Sequence, residues 1–513
     1  TTGAGNVAVG PYALDANTTA SDNTAVGVNA LGANTTGSTN TAVGSRSFAA
    51  NTTGSGGTAI GDRTLDANTT GNYNTAVGSL ALSSNTTASY NNAFGYNCLA
   101  ACTTGAYNDA FGYICLDSLT TGSSNTAFGY NVLTALTTGG TNTAFGSGAA
   151  AAVTTASHNT ALGSNAYVSG TGTENIAIGR NCMYAAVTGN YNVGIGSYAF
   201  TTLTSGGSNM AIGRYSCDAL TTGSENVALG YSTLSDCQTG DENTAVGHEA
   251  LNNYTGSEAT AFGWKALYAN TTGDSNTAVG RAAGDAITTG SNNTVVGQEA
   301  LTDLISGDSN TAVGRKSLQD ALGSNNTACG KSAGASVTTG SNNSFLGIDA
   351  GQSGSPGGAI SSGSNEIVIG DENVSKVNVQ VDWTVASDER DKTDFTPLDL
   401  GLDFVNALAP LTYKWDERSK YGNKYASDYD LLDQVPDGTH KEDWLDIGFK
   451  AQEVEVLEIA AGYKIADKTN LTINLSGDGK QYGTQYSKFV PILVKAVQEL
   501  SAKNDALEAR IEA

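Results

Sequence analysis

The sequence predicts a mainly β protein: a trimeric parallel β-solenoid or β-roll shaft of 17-residue repeats, followed by an α+β domain that ends in a coiled-coil helix. Three observations carry the prediction. The first 350 residues are a short repeat, the 513-residue chain holds 64 Gly with only 14% charged residues, and the composition changes near residue 366. The expected organisation is a repeat shaft over residues 1–350, a connecting segment with short strands over 351–386, and a C-terminal domain over 387–513.

The repeat is read directly. "NTAVGVNALGANTTGST" (residues 23 to 39) returns as "NTAVGSLALSSNTTASY" (74 to 90) and "NTAFGYNVLTALTTGGT" (125 to 141). The glycine that ends each "TAVG" serves as a marker. It occurs 21 times between Gly10 and Gly347, at steps of 17 with three steps of 16. A unit this short, rich in Asn, Thr and Gly, has room for two brief strands and two turns, which is one coil of a parallel β-solenoid; helical repeats are longer. The absence of proline between Pro11 and Pro356 agrees, because nearly every backbone N–H is needed for a bond to a neighbouring coil. Stacking 21 coils at the strand spacing of about 4.8 Å gives a rod on the order of 100 Å long.

The residue before each marker is apolar (Val26, Ile60, Phe94, Leu162, Cys329), and the one before that is nearly always Ala (Ala25, Ala59, Ala93, Ala161, Ala328). Neighbours on a strand point to opposite faces, so both faces are dry. One fills the coil; the other packs on something else, and identical chains around a common axis are the simplest answer. A single-chain solenoid with a thick core is the alternative. Phe94, Phe111, Phe128 and Phe145 occupy consecutive copies of the apolar slot and read as a packed core column rather than a ligand platform. Asn stands four residues before the marker in 19 of 21 copies, Gly57 and Ala259 being the exceptions. A ladder of turn amides bonding one another along the axis explains it. The repeated "NTT" matches a glycosylation sequon but reads as an architectural turn.

Composition excludes several functions. The formal charge of −24 argues against a nucleic-acid partner, since phosphate binding needs clustered Lys and Arg. No apolar run approaches the roughly 20 residues that span a bilayer, so no membrane insertion is expected. Nothing at the start reads as a signal peptide, and the first residue is Thr1, which fits a fragment or a processed chain. Cys98, Cys102, Cys115, Cys182, Cys217, Cys237 and Cys329 form no CxxC pair, and His158, His248 and His440 lie far apart. Neither a disulfide framework nor a metal site is expected, and no cofactor. Cys98, Cys115 and Cys182 stand three residues after a marker, as small buried hydrophobes.

Beyond the repeats, "EIVIGDENVSKVNVQVDW" (366 to 383) alternates like a strand. "PLDLGLDFVNALAPLTYKW" (397 to 415) predicts a helix, then a strand after Pro410. "DIGFKAQEVEVLEIA" (446 to 460) predicts a strand turning into a helix. The last segment spaces Val490, Leu493, Val497, Leu500, Leu507 and Ile511 by threes and fours, with Asn504 in the remaining slot. That is a heptad seam, in which one polar residue commonly fixes register and chain number. A helix packed only on its own domain is the alternative.

Two resemblances follow. The repeats, over roughly residues 1 to 350, resemble the head units of trimeric autotransporter adhesins, which implies a left-handed parallel β-roll in a trimer, although those units are usually shorter. "SDERDK" at Ser387 to Lys392, "NALAPLTYKW", "IGFKAQEVE" and the terminal "YSKFVPILVKAVQEL" occur in the order found in the endosialidase-type intramolecular chaperone domain. Asp391 and Asp446 depart from it, standing where relatives often have an apolar residue and a histidine. Such domains end phage tailspikes and tail fibres, assist trimeric shafts to fold, and cut themselves off. The resemblance implies a scissile bond between Ala386 and Ser387, with Ser387 as nucleophile, Lys392 as base, and Asp388 and Arg390 in support. The chemistry is coherent without the analogy, since a serine hydroxyl needs an adjacent base and a lysine becomes one only when burial favours its neutral form.

The expectation is a homotrimeric bacteriophage tail fibre or appendage, assembled in the host cytoplasm and sited in the virion tail. It would bind a host cell-surface receptor, a glycan, and other virion tail proteins. Its one enzymatic activity would be a single self-cleavage. A capsule polysaccharide depolymerase tailspike and a bacterial trimeric surface adhesin are the alternatives.

Overall fold

A computed structural model of the chain describes residues 2–355, 357–374, 376–380, 387–423, 429–476 and 478–512. It falls into two compact units, residues 1–292 and 293–513.

The first unit is a parallel β-solenoid. Each coil contributes a short strand, such as Thr24–Val26, Thr41–Val43 or Asp109–Tyr113. These strands pair with identical positions aligned: Thr24 faces Thr41, Ala25 faces Ala42 and Val26 faces Val43. Most coils hold one strand rather than the two expected. The exception is the pair Ser169–Gly170 and Ala186–Val187. The physical reason lies in the other arc of the coil, where single residues adopt left-handed conformations: Asn29 (φ 58°), Leu31 (φ 51°) and Thr39 (φ 60°). The backbone still bonds coil to coil there, Leu31 N to Ser47 O at 3.0 Å and Ala33 N to Ala49 O at 3.1 Å. An L-residue in that region costs roughly 1–2 kcal/mol, which the stacking of identical neighbours offsets. The marker glycines do need to be glycine. Gly27 has φ 139°, and a Cβ there would lie 2.3 Å from the Gly44 carbonyl oxygen.

The interior is narrow. It is filled by the strand alanines, by a leucine column (Leu31, Leu65, Leu82, Leu99) and by asparagine, all fully buried. The asparagine ladder runs as the spacing implies. Asn125 N donates to Asn108 Oδ1 (3.0 Å), Asn125 Nδ2 to Gly139 O (3.0 Å), and Asn142 N to Asn125 Oδ1 (3.0 Å). At Gly57, where Asn is missing, the Phe48 ring takes the space. In the coil that carries Ala259, the other exception, Tyr254 is buried and its hydroxyl donates to Ser257 O at 2.6 Å. The sequon asparagines form a second buried ladder, Asn51 to Asn34 at 2.9 Å and Asn85 to Asn68 at 2.7 Å. It ends at Cys102, which leaves Asn85 Oδ1 without a partner. Cys98, Cys115 and Cys182 are buried free thiols.

The phenylalanine column departs from expectation. Phe94, Phe111, Phe128 and Phe145 stack with centroids 4.8, 5.9 and 5.3 Å apart. They do so on the outside of the chain, Phe128 being 51% exposed. Strand alternation decides it: with alanine turned inward, its neighbour has to face out.

In the second unit, five parallel strands run from Thr294–Val296 to Ile367–Ile369. The last pairing sets Ser344 opposite Ile367, one coil beyond the 21 read from the sequence. Among the described residues of the alternating stretch 366 to 383, only Ile367–Ile369 is a strand. Residues 376–380 form none, with Val377 and Val379 more than half exposed; alternation without a paired neighbour leaves the ladder bonds unmade. Trp383 lies outside the described residues.

The C-terminal domain contains α1 (Leu402–Ala407), α2 (Ala451–Ala460) and α3 (Phe489–Glu512). Leu411–Tyr413 pairs antiparallel with Asp446–Gly448, and Ile473–Leu475 with Tyr482–Thr484. Leu400, Phe404, Val454, Ile473, Phe489 and Ile492 form the core. Buried Glu458 ties α2 to the second hairpin, accepting from Thr472 N (2.6 Å), Thr472 Oγ1 (2.5 Å) and Leu471 N (3.1 Å). Helix α3 has two faces. Phe489, Ile492 and Ala496 are buried against the domain, whereas Val490, Leu493, Val497, Leu500, Leu507 and Ile511 are exposed. Asn504 Nδ2 donates to Glu508 Oε1 at 3.1 Å.

Candidate autoprocessing site

The site is built on a single tight turn. Residues Glu389–Asp391 form one 3₁₀ turn, begun by Asp388, whose side chain accepts from Arg390 N at 2.9 Å. An aspartate at that position satisfies an otherwise orphaned amide. The Arg390 side chain folds back on the same carboxylate, Nε to Oδ1 at 3.0 Å and Nη2 to Oδ2 at 2.5 Å. The guanidinium holds the Asp388 carboxyl below the usual carboxylate range, with help from the Arg390 amide.

The turn brings together two residues five apart. Lys392 Nζ donates to Ser387 Oγ at 2.5 Å. Ser387, Asp388, Arg390 and Lys392 are all exposed in the single chain. The carboxylate and guanidinium are therefore spent on each other, and the amine is directed to the hydroxyl. Ala386 lies outside the described residues.

Asp446 is a residue whose neighbourhood spacing did not reveal. Cross-strand pairing puts it opposite Tyr413, and its Oδ2 lies 3.4 Å from Tyr413 OH and 3.3 Å from Trp415 Nε1. Burial, followed by the Asp446 charge, pushes the Tyr413 hydroxyl up to about 12. The signal was the "TYKW" that sets two ring donors two residues apart in the sequence.

Among the described residues no group of His, Cys, Asp and Glu is arranged to hold a metal. None of their helices is long and apolar enough to cross a membrane. No curated protein matches the chain. Residues 387–463, beginning at the serine that Lys392 contacts, match the family model described as chaperone of endosialidase, a family of self-cleaving peptidase chaperones. That match in the C-terminal region, with a long parallel β-solenoid earlier in the chain, fits a tailspike or tail fibre with an endosialidase-type chaperone domain.

Proposed function

We propose that the protein is a bacteriophage tail appendage for host attachment, a homotrimer whose C-terminal domain aligns three chains and then removes itself by cleavage between Ala386 and Ser387. The observation that carries the reading is the Lys392 to Ser387 hydrogen bond, at the residue where the family match begins.

In the proposed reaction Lys392, as the free amine, takes the Ser387 hydroxyl proton while Oγ attacks the Ala386 carbonyl carbon. The C–N bond breaks, the Ser387 nitrogen leaves as an amine after protonation, and an ester joins Ala386 to Oγ. Water then attacks that ester, releasing an Ala386 carboxylate and restoring the serine hydroxyl. Asp388 and Arg390 hold the turn. A lysine in water is protonated at neutral pH, so base catalysis requires desolvation. Assembly of three chains around the exposed turn would supply it, which makes cleavage report assembly.

The advantage is kinetic. Nearly identical coils can pair out of register with little penalty, and parallel pairing of distant segments is slow. A domain that trimerises first sets the register from one end. Its removal leaves a shaft whose persistence depends on the unfolding barrier. The test is the mass of the expressed product: two fragments for the parent, and one intact chain of 52.1 kDa for Ser387→Ala. An uncut parent, or a cut Ser387→Ala chain, would overturn the proposal.

A further inference from the structure

We propose that an exposed column of basic and aromatic side chains, from Arg180 to Arg281, is a binding site for an acidic polysaccharide lying along the coils. The inference rests on the attachment reading above and gives it a surface and a ligand chemistry.

The first 350 residues contain nine Lys and Arg, and all nine stand one or two positions after a marker glycine. From Arg180 onward the first position reads Arg, Ser, Arg, Tyr, His, Trp, Arg in successive coils, without a carboxylate. Arg180, Arg214, Tyr231, His248, Trp264 and Arg281 are exposed. The second position adds Tyr198, Tyr215 and Lys265. It also adds one acid, Glu249, which lies 3.4 Å from Lys265 and 3.8 Å from His248.

The cations are held on rings. Arg180 lies 4.9 Å from the Tyr198 centroid, Arg214 4.6 Å from Tyr215, and Lys265 and Arg281 5.0 and 5.3 Å from Trp264. Among the described residues neither Arg180 nor Arg214 is in an ion pair. A guanidinium laid on an aromatic face keeps its planar fork ordered at low entropic cost and available to a carboxylate. Ring centroids lie 5.2 Å apart from Tyr198 to Tyr215 and 5.0 Å apart from Tyr231 to His248, with an edge-on step of 6.2 Å between Tyr215 and Tyr231. A ligand that itself repeats along a line meets a cation or an aromatic ring at each step. The net charge of −24 supplies the complementary half of the argument. A polyanion is repelled by most of the surface and attracted where the cations are gathered, which gives specificity by exclusion as well as attraction.

The test uses the full chain on two immobilised polymers, a polyuronate and neutral dextran, at low ionic strength. Retention by the polyuronate alone is expected, falling with added salt because exposed charges are screened over about 8–10 Å at physiological strength. Arg180→Ser with Arg214→Ser should weaken binding roughly tenfold, with circular dichroism and solution mass unchanged. Equal retention on dextran, or undiminished retention of the double variant, overturns the proposal. So does a drop in oligomer mass in the variant, which would make the column a contact between copies. If parent and variant adsorb equally to encapsulated bacteria, the column is wrong and the attachment reading stands. If the parent binds polyuronate but adsorbs to no encapsulated strain, the column stands and the attachment reading falls.

Discussion

At Ser387 and Lys392 the proposed chemistry depends on which form the amine takes. Lys392→Arg keeps the charge and the reach but removes a group that can lose its proton. The variant should remain an uncut 52.1 kDa chain across pH 6 to 9, while the parent is cut faster as pH rises; gel densitometry over time distinguishes them. Two carboxylates in the shaft make a different pH prediction. Burial raises the Asp117 and Asp218 carboxyls above the ordinary range, and each has an Oδ1 without a partner. A raised carboxyl opposes folding once ionised. The penalty is absent below the unfolded pKa, grows through the window up to the folded pKa, and stays constant above it. Asp117→Asn with Asp218→Asn should therefore raise the thermal midpoint at pH 7 and leave it nearly unchanged near pH 4. Equal shifts at both pH values would refute this.

A coil differs from an ordinary strand in that its polar core is shared with its neighbours. Asn125 donates to Gly139 O and accepts from Asn142 N while buried. Asn125→Ala leaves these groups unpaired, at about 1–3 kcal/mol for each buried group so exposed. Hydrogen exchange should show the Asn142 amide opening more readily, with coils several steps away unaffected, as nearest-neighbour coupling in a solenoid requires. Protection unchanged at Asn142 would mean that a water replaces the side chain.

At the scale of the whole molecule, the proposed mechanism makes α3 the connection between assembly and chemistry. Its seam of Val490, Leu493, Val497 and Leu500 is exposed among the described residues, the arrangement expected of a helix that associates with copies of itself. Val497→Asp with Leu500→Asp should abolish the trimer by analytical ultracentrifugation and, because the lysine then stays in water, abolish cleavage as well. A monomeric yet fully cleaved product would separate the two and remove assembly from the proposed mechanism.

The solenoid was legible because its signals are repetitive. The marker glycines, the Ala-then-apolar pairs and the asparagines recur at one spacing, and only a stacked coil satisfies all three together. The segments after Pro397 were legible for the usual reasons of periodicity and Pro placement, although the hairpin of Ile473–Leu475 with Tyr482–Thr484 escaped because its strands are too short to show a pattern. Ser387 and Lys392 were named through resemblance, since a charged hexapeptide alone reads as a solvated turn.

What the sequence determined by itself is therefore the coil, its register and its polar ladders, because each follows from spacing that local stereochemistry must obey. Tertiary structure alone decided which dry face turns inward. It placed the phenylalanine column outside, reduced two expected strands per coil to one, and set Asp446 beside Tyr413 and Trp415. Those outcomes depend on how much space a closed coil leaves and on which strands meet across a sheet, distances that no linear pattern contains.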